Sequence, residues 1–166
     1  MDAPPLAVSR RSRTGPDHGS RSRRRGACPR PPGRHAAHRR RRAPYAEARD
    51  LSPYRSVLLA VGYSPVGLAA ARRTWEAEVR RAREIAQLAH RQGVPLILVF
   101  FGGPLRNDAR SAALFDLLLP HARYVIARAD AEQDRHLSAL ARRHDVPYTR
   151  VRTFEAAKIP LNSAYR

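Results

Sequence analysis

The sequence predicts an α/β domain: a small three-layer arrangement of about four parallel strands with helices on both faces, preceded by a disordered, arginine-rich tail. Three observations predict it. Short apolar runs alternate with helical periodicity across residues 51–166. The links between them are short and carry glycine, proline or capping residues. Residues 1–50 hold almost no large apolar side chain. A length of 166 residues suits one folded domain plus a tail.

The tail comes first. Residues 1–50 carry 14 arginines against four carboxylates, so more than half of the net charge of +18 sits in the first third. The stretch "RSRRRGACPRPPGRHAAHRRRR" cannot bury enough apolar surface to offset the entropy of ordering itself. Arg21, Arg23, Arg24, Arg25, Arg39, Arg40, Arg41 and Arg42 are its candidate nucleic-acid contacts, acting by counterion release. Interleaved aromatics and RGG repeats are absent from it.

In the folded part, "SVLLAV" (56–61) is a continuous apolar run, as a strand buried on both faces requires. The glycine-bearing turn "GYSPVGLAAA" follows, its small residues Gly67 to Ala71 suited to a helix start lying close to the sheet. A helix is predicted over 74–92. Thr74 caps it, Glu76 and Glu78 meet the positive end of the dipole, and Trp75, Val79, Ala82, Ala86 and Ala89 form the apolar stripe. Gly93 and Pro95 end it. "VPLILVF" (94–100) is the clearest strand, and "FGGPLRNDARS" the loop that leaves it. A short helix, 111–119, is expected with Ser111 as its cap and Pro120 as its stop. "ARYVIAR" (122–128) reads as a third strand, 130–144 as a helix with Leu137, Leu140 and Ala141 inward, and 146–151 as a fourth strand. A last short helix is expected at 153–158. Each crossover should be right-handed.

Residues 51–166 resemble an uncharacterised bacterial family of small Rossmann-like domains of unknown function. The likeness rests on "DLSPYRSVLLAVGYSPVGLAAA", "GVPLILVFFGGPLRNDARS" and "PHARYVIARADAEQDRHLSALARRHDVPYTRV". Gly62, Gly67, Gly102, Gly103, Arg106, Ser111, Pro120, Asp134 and Pro147 fall on the family pattern. Three positions depart from it: Pro104 replaces an acid, Asn107 a second arginine, and Ala112 an aspartate. The family also begins with a further βα unit, whose place here holds the arginine-rich stretch. The resemblance implies a fold and no established activity.

In an open parallel sheet, ligands bind beyond the carboxyl ends of the strands. Two loops leave such ends, 62–71 and 101–110. Gly62, Ser64, Gly67, Gly102, Gly103 and Arg106 are expected to line one crevice if those strands are neighbours. Arg106 and Arg110 add guanidinium forks suited to a carboxylate or phosphate, and Asp134 is a further candidate. A small anionic metabolite is therefore the expected ligand.

Catalytic and cofactor motifs fail one by one. The turn reads G-x-S-x-x-G where a dinucleotide loop needs G-x-G-x-x-G, and Lys158, the single lysine, is nowhere near a Walker loop. Gly62-Tyr63-Ser64-Pro65-Val66 lacks the last glycine of a nucleophile elbow. The histidines show no ligand spacing, and Cys28 is the one cysteine. The expectation is a binding domain without catalytic residues, cofactor or metal. Two alternatives are a nucleic-acid-associated protein acting through the tail, and a module pairing with itself or a partner through a sheet edge. No apolar run is long enough to span a membrane, and none follows Ser9-Arg10-Arg11 as a signal peptide would need, so a cytoplasmic location is expected.

Overall fold

The computed structural model describes residues 7–10, 39–42, 46–52, 54–102, 108–128 and 131–164. Its strands are β1 (Ala7–Arg10), β2 (Arg39–Arg42), β3 (Ser56–Ala60), β4 (Leu96–Phe100), β5 (Tyr124–Ala127) and β6 (Tyr148–Arg150). Its helices are α1 (Pro65–Ala70), α2 (Trp75–Arg91), α3 (Ala109–Leu118), α4 (Ala131–Arg143) and α5 (Lys158–Ala164). One sheet holds all six strands in the order β2-β1-β3-β4-β5-β6.

Strands β3 to β6 run parallel and are the four expected. All five residues of β4 are buried, which accounts for its unbroken apolar sequence. β1 and β2 are additions. They pair antiparallel to each other, and β1 pairs antiparallel to β3. Neither AVSR nor RRRR carries an apolar alternation that would announce a strand. The rest of the expected tail through residue 45 lies outside the described residues, and Arg21, Arg23, Arg24 and Arg25 lie there with it. Arg39–Arg42 form β2, a strand at the edge of the sheet.

The helices are shared unequally between the two faces. Val57, Leu59, Leu96, Leu98, Phe100 and Val125 point to one side and pack with α2, α3 and α4 residues such as Ile85, Phe115 and Leu137. Ile97, Val99, Ile126 and Val151 point to the other, where Ala157 and, from α5, Leu161 and Ala164 cover them. The cause is topological. β3 to β6 lie in sequence order, so successive right-handed crossovers all place their helices on one face. The second face is closed by the chain end. That end is longer than expected, a 3-10 turn at Glu155–Ala157 running into α5.

Local signals set the helix ends. The Thr74 hydroxyl accepts from the Ala77 N–H at 3.2 Å, and Gly93 adopts φ 64° just past α2. Arg81, buried in α2, donates from Nε to Glu78 Oε2 at 2.8 Å and from Nη2 to Oε1. Its Nη1 donates to the Ala46 carbonyl at 2.7 Å. This arginine ties the segment entering the domain, with its 3-10 turn Ala48–Leu51 and buried Leu51, to α2.

Two expectations are corrected. Asp108, not Ser111, caps α3: its carboxylate accepts from the Ser111 N–H at 2.9 Å. A carboxylate cap suits the dipole better than a hydroxyl, and it starts the helix two residues earlier. The small residues of α1 do not let that helix approach the sheet, since none of its residues is buried. A helix of six residues after a tight turn is too short to present a stripe to the core.

Candidate functional site

β3 and β4 are hydrogen-bonded neighbours, so the two glycine loops leave adjacent strand ends. A specific bond joins the first of them to the start of α3. The Tyr63 N–H donates to Ser111 Oγ at 2.9 Å, and Ser111 Oγ donates to Asp108 Oδ2 at 2.9 Å. Asp108 thus caps α3 with one oxygen and orients the Ser111 hydroxyl with the other. Ser111 is buried, and its hydroxyl accepts one hydrogen bond and donates another. It acts as a structural link between two loops.

This link sets Arg110 against two aromatic rings. Its guanidinium carbon lies 4.7 Å from the centre of the Tyr63 ring and 5.6 Å from that of Trp75. Those rings meet edge to face at 5.5 Å. Nη1 of Arg110 donates to the Tyr63 hydroxyl. Cation–π attraction holds the guanidinium against the ring faces. A guanidinium has five N–H donors, and among the described residues this arrangement engages one; such a fork suits a planar or tetrahedral anion. Arg110 is exposed at the carboxyl end of the sheet, in the first turn of α3. The Glu76 carboxyl, in the first turn of α2, feels this charge. It is held below its usual range first by a backbone hydrogen bond and then by the Thr74 hydroxyl, with Arg110 adding to the effect.

The glycines and Ser64 have local duties here. Ser64 Oγ accepts from the Gly67 N–H at 3.1 Å and caps α1. Pro65 follows at the first helical position and has no N–H to offer. One orphan donor is therefore missing and another is occupied, which leaves α1 poorly equipped to cradle a phosphate. A Cβ at Gly67 would lie 3.2 Å from Ser64 Oγ, so the glycine makes room for the cap. Gly62 adopts φ 153°, a region side chains avoid, and turns the chain out of the sheet. Gly102 lies under the Phe100 ring. Gly103 and Arg106 lie outside the described residues.

Asp134 stands elsewhere. It accepts from the Tyr148 hydroxyl at 2.6 Å and from Arg150 Nη1 at 3.3 Å, which places it over β6, two strands beyond β4. Burial, and then the Asp134 carboxylate, push the Tyr148 phenol well above its ordinary pKa. The aspartate joins α4 to the edge strand and does not meet Arg110. Of the expected site residues, then, Gly62, Ser64, Gly67, Gly102 and Arg110 belong to the two loops at the β3–β4 end. Tyr63, Trp75 and Asp108 complete that group, and sequence reasoning does not place them in it. Tyr63 sits inside the turn that leaves β3, and an aromatic among glycines at a strand end is the signal that could have found it.

His90 at the end of α2 and His121 in the 3-10 turn Leu119–His121 face each other at 5.5 Å between ring centres. Among the described residues no group of three or more His, Cys, Asp or Glu side chains is placed to hold a metal ion. Likewise, no described helix is long and apolar enough to cross a membrane.

No curated protein and no solved structure matches the chain. A family model does match, over residues 38–165, about three quarters of the sequence. The match starts upstream of the segment that carried the resemblance and takes in β2 and the turn before β3. The chain belongs to the family described as Domain of unknown function (DUF6305).

Proposed function

We propose that this chain is a small binding domain for a carboxylate or phosphate ligand, held above the β3–β4 strand ends by Arg110. One observation carries the reading: an exposed guanidinium stands on Tyr63 and Trp75 and, among the described residues, engages one of its five donors. A surface arginine with no such support samples many rotamers and loses entropy when it binds. Pre-positioning by the two rings removes part of that cost. The Tyr63–Ser111–Asp108 chain of hydrogen bonds supports the reading, because it holds the ring that holds the arginine.

The test is a thermal-shift screen of the full chain against mono- and dicarboxylates, phosphate and phosphomonoesters. The expected result is a rise in Tm with at least one class, lost in Arg110→Ala and reduced in Tyr63→Ala. Binding at a hundred times Kd corresponds to about 2.7 kcal/mol of added stability, which such a screen detects easily. A screen without a shift, or a shift unchanged in Arg110→Ala, refutes the proposal.

A further inference from the structure

We infer that the opposite face of the same sheet end carries a stacking surface for single-stranded nucleic acid, built on Phe101, Phe154, Arg128 and Arg152. It does not depend on Arg110. The rings of Phe101 and Phe154 lie 4.7 Å apart with a 46° tilt. Phe101 leaves β4, and Phe154 follows β6, so residues far apart in sequence build one aromatic pair. Phe154 remains 59% exposed.

The strand register places an arginine beside them. Phe100, Ala127 and Arg150 form one row across β4, β5 and β6. The next row is Phe101, Arg128 and Val151, held by the Arg128 N–H donating to the Phe100 carbonyl at 2.7 Å and the Val151 N–H to the Ala127 carbonyl at 2.8 Å. Phe101 and Val151 face the α5 side. Side chains of one row in a parallel sheet share a face, so the register assigns Arg128 to the face of Phe101 and Val151. Arg128 is exposed, and so is Arg152 next along the chain. Arg150, one row back, points the other way and is held by Asp134.

A membrane surface needs a wider apolar face than two rings. Protein–protein interfaces also use Phe and Arg, so it is the positive charge that decides the partner. Alternating aromatic faces and guanidinium groups are what an unpaired strand uses, bases stacking on rings while phosphates meet arginines. A net charge of +18 adds long-range attraction for the same polyanion. A duplex keeps its bases stacked on one another and offers none to the rings.

The experiment measures fluorescence anisotropy of a labelled twelve-nucleotide oligothymidylate, and of the matching duplex, against the full chain over a salt series. Phe154→Ala is expected to weaken single-strand binding about five-fold or more and to leave duplex binding within two-fold. Phe154→Trp should retain binding. Phe154→Leu keeps apolar bulk and should weaken it too, which separates stacking from folding. Arg128→Gln with Arg152→Gln should lower the steepness of the salt dependence, by about 0.7 for each phosphate no longer neutralised. Single-strand affinity unchanged in both Phe154→Ala and Phe154→Leu overturns the inference, since the charge of the N-terminal region would then account for all binding. An equal loss for duplex and single strand, or no binding by the full chain, overturns it as well.

Discussion

Gly102→Ala tests how tightly the sheet end is packed. A methyl at this position would lie 2.2 Å from Cζ of Phe100 and 2.6 Å from its Cε2. Carbon atoms in favourable contact sit about 3.5–4.0 Å apart, so the ring would have to retreat by on the order of 1 Å or more. It has little room to do so. Phe100 is 2% exposed and meets Phe115 edge to face at 5.2 Å, within the core between β4 and α3. Overpacking of this kind costs about 1–3 kcal/mol, and full expulsion of the ring approaches the roughly 3–5 kcal/mol of a Phe→Ala change. Urea unfolding followed by circular dichroism should therefore show a loss of about 2–3 kcal/mol, the upper part of the overpacking range. The decisive arm is a double-mutant cycle. In a Phe100→Leu background the aromatic carbons are gone, and Gly102→Ala should then cost less than about 1 kcal/mol. Equal costs in both backgrounds refute the steric account and move the reason for Gly102 to its backbone or to a ligand.

Arg81→Met removes three hydrogen bonds at once and leaves Glu78 half-buried without its partner. A loss of about 2–3 kcal/mol is expected, with faster proteolysis near Ala46; a change under about 0.5 kcal/mol would show that the arginine does not anchor this segment. Burial, followed by the charge of His90, holds the His121 imidazole below its ordinary 6.5. The unfolded chain therefore binds the proton more tightly, so His121's contribution is intact above about pH 6.5 and falls as pH drops below it. His121→Gln should flatten Tm against pH in that range, and an unchanged slope would count against this linkage. Glu76→Gln removes an acid that feels the Arg110 charge and should tighten anion binding in the thermal-shift assay, most clearly at low salt. Weaker binding in that variant would mean that Glu76 helps to hold the ligand.

The chain's local grammar is legible from its residues in order. Thr74 and Gly93 mark the ends of α2 through bonds and dihedral angles that span a few residues. The apolar run of β4 states burial on both faces without naming a partner. The poor fit of the Pro65 turn to a phosphate is readable too, because proline lacks an N–H in any fold. Local reading fails where two signals compete. Asp108 and Ser111 are both good caps, and the carboxylate prevails. β1 and β2 carry no periodic signal, and only pairing with β3 and with each other makes them strands.

Strand order, and everything that depends on it, belongs to the assembled sheet. Sequence order from β3 to β6 sends α2, α3 and α4 to one face and leaves the other to α5. The same order makes β3 and β4 neighbours, so that Arg110 can reach Tyr63, 47 residues away, and it carries Asp134 off to β6. Phe101 meets Phe154 for the same reason. Periodicity, caps and turns are energies of adjacent residues and are written in adjacent letters. Contacts between distant loops depend on which strand lies beside which, a choice made by the total burial of the sheet. Strands, helices and the chemical types available at the turns are thus set locally along the chain. Which of those types stand together, as Arg110 does with Tyr63 and Trp75, is set by the folded sheet.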